Sequence, residues 1–132
     1  MKFISPLRVK TGTSKKTGKD SCFALNLNIY RNQHHYILNK AKIVYKEIMQ
    51  AQMDSKQRLG KIGISYTLYP KTKRRCDISN VLCVVDKFFC DALVESGMIE
   101  DDNYLFLPEV HYYFGEVDKH NPRVEIEIWS VP

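Results

Sequence analysis

The stretch KRRCDISNVLCVVDKFFCDALVESGMIEDD, residues 73–102, decides how the chain is read. It opens on three basic residues, Lys73, Arg74 and Arg75, and closes on the adjacent carboxylates Asp101 and Asp102. Between them a helical pattern carries Asp77, Asp86, Lys87 and Asp91. The spacing predicts a helix over about 79–96, with Ser79 as N-cap and Gly97 where a left-handed C-cap glycine belongs. At 100° per residue, Asn80, Lys87, Asp91 and Glu95 share one side, with Val84 among them. Val81, Leu82, Val85, Phe88, Phe89, Ala92 and Leu93 cover most of the other. Asp86 is the exception, an acid on the apolar side. A carboxylate taken from water costs several kcal/mol unless hydrogen bonds or a cation compensate. Two readings of Asp86 stay open: an acceptor for a neighbouring loop or at the rim of the stripe, or a site acid.

Each other acid has an ordinary explanation when taken singly. Asp77 suits a helix N-terminus, where negative charge is favourable, and Asp101–Asp102 suits a solvated turn. Together they form a pattern of one acid before a helix, two after it, and a lysine between. Carboxylates held close repel, and a divalent cation relieves that repulsion. Phosphodiester hydrolysis uses such an ion to activate water and to neutralise charge on phosphate oxygens. Mg²⁺ suits oxygen ligands and needs only one or two carboxylates.

Outward from this segment, 3–10 and 21–30 read as strands joined by the polar loop TGTSKKTGKD. In FALNLNIY, apolar residues alternate with Ala24, Asn26 and Asn28. Helical spacing from Ile37 predicts a helix over about 37–54, capped near Asn39. KIGISYTLY, 61–69, alternates again until Pro70. VHYYFG, 110–115, and RVEIEIWSV, 123–131, read as closing strands. The expected order is β-β-α-β-α-β-β, an α/β (α+β) domain with a small mixed sheet, and 132 residues suit one domain over 1–132.

The composition, 44% hydrophobic and 27% charged, is that of a globular protein rather than a disordered one. No apolar run reaches the ~18–20 residues of a membrane span, and the N-terminus lacks a signal-peptide core, so a cytoplasmic location without membrane is expected. A net charge of +5 favours a polyanionic partner. The expected phosphate contacts are Lys71, Lys73, Arg74 and Arg75, then Lys15, Lys16 and Lys19, with Asn26, Asn28 and Tyr30 facing backbone or an unstacked base. Cys22, Cys76, Cys83 and Cys90 form no CxxC pair, and with His34, His35, His111 and His120 they complete no zinc spacing. Buried, reduced thiols are expected.

CDISN followed by DKFFCDALVESGMIEDD resembles the signature of RusA-type Holliday junction resolvases, and LNLNIYRNQHHYILNKAKIVYKE resembles the N-terminal part of that family. The matches span about 23–102. The resemblance implies that Asp77 is the first motif acid, Asn80 its asparagine, Asp91 the acid before Ala-Leu, and Asp101–Asp102 the closing pair. It further implies that Asp77 and Asp102 hold metal, with Mg²⁺ replaceable by Mn²⁺, and that Lys87 serves cleavage. Two departures stand out. Ser79 replaces the second motif acid, and the helix is four residues longer before Asp91. Asp86, beside Lys87, is the candidate to supply the missing carboxylate to catalysis and metal. The implied activity is a homodimeric endonuclease making paired symmetric nicks in four-way junction DNA, in recombination, repair or phage DNA processing. The alternative is a non-catalytic binder of branched DNA on the same scaffold, a reading that rests on Ser79.

Overall fold

A computed structural model describes residues 1–132. Its elements are β1 (Lys2–Ser5), β2 (Arg8–Thr13), β3 (Asp20–Ala24), α1 (Leu27–Asn32), α2 (His35–Gln50), β4 (Ile62–Tyr69), α3 (Ile78–Ser96), β5 (Glu109–Phe114) and β6 (Arg123–Ser130). Four strands make one sheet in the order β1-β6-β4-β5, with β4 and β5 parallel and the other pairs antiparallel. β2 and β3 form a separate hairpin. The architecture is a small α+β fold with a mixed sheet, as the alternating patterns predict.

Parallel neighbours need a crossover, and α3 supplies it between β4 and β5. Alternation along β4 sends Ile62, Ile64, Tyr66 and Leu68 to one face, where they are buried with Val124, Ile126 and Ile128 of β6. Onto that face α3 lays Leu82, Val85, Phe89 and Leu93. The ring of Phe89 lies 5.3 Å from that of Phe3, and Phe88 meets Tyr45 of α2 edge-on at 5.5 Å. Truncating either phenylalanine to alanine costs about 3–5 kcal/mol by the usual scale for such cavities. Ser5 is the one buried polar residue, and its hydroxyl meets that of Tyr45 at 2.7 Å.

Several sequence expectations are corrected. The single strand over 3–10 is two, because Pro6 has no N–H to continue a ladder. β1 joins the main sheet and β2 the hairpin. The strand over 21–30 stops at Ala24. The Asn26 side chain accepts the Ile29 N–H at 2.9 Å and caps α1, a helix whose two turns happen to alternate apolar and polar residues. α2 runs over 35–50 rather than 37–54, with His34 rather than Asn39 as its cap. α3 begins one residue early, so Asp77 rather than Ser79 is the N-cap. Val84, assigned to the polar side, is buried, since α1 and α2 both pack on α3. Cys90 alone among the four cysteines is buried; Cys22 and Cys76 are exposed, and all four are free.

Candidate active site

The segment leaving β4 builds the first half of the site. Pro70 stops the strand, and 71–76 forms an exposed basic loop running into α3. Arg74, Arg75, Asp77 and Asn80 line a cavity of about 590 Å³ with Asn26 and Asn28. Asn28 thus reaches the Asp77 region from a helix, not from a strand. Asp77 is exposed and makes no side-chain capping bond, which leaves both its oxygens open to solvent or ligand. Lys71, Lys73, Arg74 and Arg75 are exposed and belong to none of the ion pairs. Ser79, in the first turn, is exposed too. Lys15, Lys16 and Lys19 stand at the tip of the β2–β3 hairpin.

The second half lies past the other end of α3. Gly97 adopts φ 81°, and its amide bonds to Leu93 and Val94, so the chain folds back over the last turns. Asp91, Glu95, Asp101 and Asp102 consequently share a cavity of about 390 Å³ with Lys46 of α2. Lys46 pairs with Glu95. Asp101 is occupied within its turn, accepting the Asp102 N–H at 2.8 Å and the Asn103 amide at 2.7 Å. Partial burial, a hydrogen bond that protonated Asp102 donates to Asp101, and the negative charges of Asp101 and Asp91 raise the Asp102 carboxyl above its ordinary range.

Asp86 faces the sheet at mid-helix. It accepts the Tyr66 hydroxyl at 2.7 Å, the Tyr112 hydroxyl at 2.9 Å and the Cys90 thiol at 3.2 Å. Burial pushes up both tyrosines, followed by the Cys90 and Asp86 charges at Tyr66 and by the Asp86 charge at Tyr112. The Cys90 thiol is raised by burial and then by the Asp86 charge. These hydroxyls satisfy the carboxylate in place of the loop amides considered from sequence. Nothing in the pattern marked Tyr66 and Tyr112 as its partners, because that requires knowing that β4 and β5 are adjacent. Lys87 follows, exposed.

The site acids are therefore spread along one helix. α3 has 19 residues and spans about 28 Å. Asp91, which lines the Asp101–Asp102 cavity, lies about 21 Å of helical rise from Asp77. Asp86 is in neither cavity. No three acids, histidines or cysteines of one chain come together as a metal site. Asp77 and Asp102, the acids that the family resemblance assigns to metal, line no common cavity within a single copy.

The family model for endodeoxyribonuclease RusA matches residues 15–129. The chain belongs to the RusA family. Membership makes it an endodeoxyribonuclease of the Holliday junction resolvase type, whose partner is branched DNA. The match takes in both cavities, the basic loop and all of α3. No curated protein matches the chain.

Proposed function

We propose that residues 1–132 act as one nuclease unit that nicks four-way DNA junctions in pairs, with Mg²⁺ or Mn²⁺, as a homodimer in the cytoplasm of a bacterial or phage-infected cell. One observation carries the reading. The RusA-motif acids sit exposed at opposite ends of α3, with the basic loop beside Asp77 alone. Two copies related by a two-fold axis, their α3 helices antiparallel, would bring Asp77 of one to Asp102 of the other, twice over, which yields two equivalent sites for paired cuts. Asp77 and Asp102 would hold the ion, which when bound supplies charge neutralisation and a more acidic water. Asp101 holds the turn that presents Asp102. Asn80 and Asp91 line the two halves, and Lys87 stands exposed between them.

The residues of the chain itself do the binding. Arg74 and Arg75 meet phosphate next to Asp77, while Lys71, Lys73 and the hairpin lysines extend the positive track. Asn28 faces the same cavity as Asp77. Asp86 has its lone pairs directed at Tyr66, Tyr112 and Cys90, which suits a positioning role for the α3 crossover. No helix is long and apolar enough to cross a membrane.

Mixing Asp77→Asn with Asp102→Asn tests the reading. Each variant alone leaves no complete site. A mixed dimer regains one complete site if the acids combine between copies, and none if each copy is self-sufficient. Single-strand nicking of a labelled four-way junction by the mixture, dependent on Mg²⁺ and abolished by EDTA, is the expected result. Binding without any nick by the unmutated protein would favour the non-catalytic alternative that Ser79 raises. Equal cutting of junction, Y-fork and linear duplex would remove junction selectivity.

A further inference from the structure

The turn that carries Asp101 and Asp102 continues through residues 103–107, and it is braced at both ends. The Asn103 side chain donates to Asp101 at 2.7 Å and its Oδ1 accepts the Leu105 N–H at 2.9 Å. The Asn103 carbonyl accepts the N–H groups of Phe106 and Leu107 at 3.1 and 2.8 Å. The Phe106 carbonyl in turn accepts the Ile62 N–H at 2.9 Å, which ties the turn to the start of β4, and Leu107 packs on the core. Between these anchors Tyr104 and Leu105 are left outside, 77% and 56% exposed, and Tyr104 is the most exposed large apolar side chain of the protein. Scattered apolar residues are ordinary on a protein surface. Two in succession on a braced turn, starting two residues after a site acid, are not.

We propose that Tyr104 and Leu105 form a wedge that enters the branch point of junction DNA, the tyrosine ring stacking on a base face that the crossover leaves open. The inference rests on the junction reading above and names the feature of the substrate that this end of α3 recognises. Electrostatics sets the need for it. The Asp77 end meets DNA through charge, with Arg74 and Arg75 lining its cavity. The Asp102 end has no such means: Glu100, Asp101 and Asp102 are exposed acids, and Lys46, the cation lining that cavity, is paired with Glu95. Phosphate is repelled there, so contact falls to the base faces, which stack on aromatic rings whatever the sequence. The same physics gives selectivity. Inside a continuous duplex each base is stacked on both sides, and opening a step costs more than one aromatic contact returns. At a branch point the stack is already interrupted, and the wedge gains its contact without that cost. The bracing by Asn103 helps, because a turn that is already ordered loses little freedom on binding. Insertion also sets where the cut falls, since the wedge and Asp102 share one turn.

The test compares binding of a labelled four-way junction and of linear duplex in EDTA, where no strand is cut. Tyr104→Ser/Leu105→Ser is expected to lose about tenfold in junction affinity, with duplex affinity and the salt slope of junction binding unchanged. Tyr104→Phe is expected to keep the unmutated value. Photocrosslinking needs no variant: 5-iododeoxyuridine at the branch point should attach to Tyr104, and the same base placed in an arm should not. Equal loss on junction and duplex, an unchanged junction affinity, or a crosslink that avoids Tyr104 would overturn the wedge. Circular dichroism and sedimentation equilibrium of the double variant serve as controls. A folded protein of unchanged oligomeric state is expected, and loss of self-association would overturn the proposal by making the tip a contact between copies. Failure of the nuclease reading looks different. A protein that prefers the junction through Tyr104 yet never nicks it with Mg²⁺ leaves the wedge standing. An unmutated protein without junction preference removes the junction reading, and the wedge with it, before any variant is compared.

Discussion

Asp86 and Tyr66 meet at 2.7 Å in the layer between α3 and the sheet. Tyr66 is fully buried, so its hydroxyl depends on the carboxylate, with the Cys90 sulfur at 3.7 Å a weak substitute. Tyr112 brings a second hydroxyl from the neighbouring strand. One acid thereby ties the crossover helix to both strands that it connects.

Asp86→Ala is expected to lower stability by about 2–3 kcal/mol, because it strands a buried hydroxyl rather than removing a pair. Tyr66→Phe removes the donor and costs about 1 kcal/mol. Urea unfolding monitored by circular dichroism separates the two. Equal costs would mean that Asp86 does not serve Tyr66.

Asp77→Asn is expected to abolish nicking while keeping junction affinity and stability, since the Asp77 side chain is exposed and has no capping bond to lose. Gel-shift and cleavage assays on one labelled junction check this. Loss of binding together with cleavage would make Asp77 a structural residue.

Junction affinity is expected to fall steeply with salt. Six to eight phosphate contacts give a slope of roughly −5 to −7 in log affinity against log salt. Arg74→Ala/Arg75→Ala should reduce its magnitude by about 2. A flat response in the unmutated protein would contradict contacts through the exposed basic loop.

Asp102 gives a pH signature. Its carboxyl is raised in the folded chain, so the folded state holds that proton more tightly than the unfolded one does. The associated stability is fully present below the ordinary value of 3.8 and is lost as pH rises through the higher folded value. At neutral pH the charged group is a small liability. Asp102→Asn should therefore melt about 1–2 °C higher near pH 7, with the difference vanishing in acid. Mg²⁺ should raise the melting temperature of the unmutated protein and not of Asp102→Asn. Scanning calorimetry across pH, with and without Mg²⁺, reads both effects.

The mixed sheet, β4, α3 and its C-cap were legible because period-two and period-3.6 patterns each ran long enough to exclude the other. α1 was not. Two turns of helix over Leu27–Asn32 leave too few residues to separate the periods, and only the Asn26 cap distinguishes them. Among site residues, Asp77, Asn80, Asp91, Asp101 and Asp102 were visible as a pattern. Their distribution between two ends of one helix was not, since acids near in sequence suggest one cluster until the helix is given its length. The tyrosines that hold Asp86 belong to strands about 20 residues before it and 26 after. No local pattern links positions that far apart.

Gln52 clasps Ile4 of β1, its Oε1 accepting the Ile4 N–H and its Nε2 donating to the Ile4 carbonyl, each at 2.8 Å. The clasp has a consequence for how far association can proceed. A subunit with two bare margins would add neighbours without limit and grow into a fibril. With Ile4 held by an amide side chain, the β1 margin offers an incoming strand less to pair with, and Gln52→Ala is the substitution that would bare it.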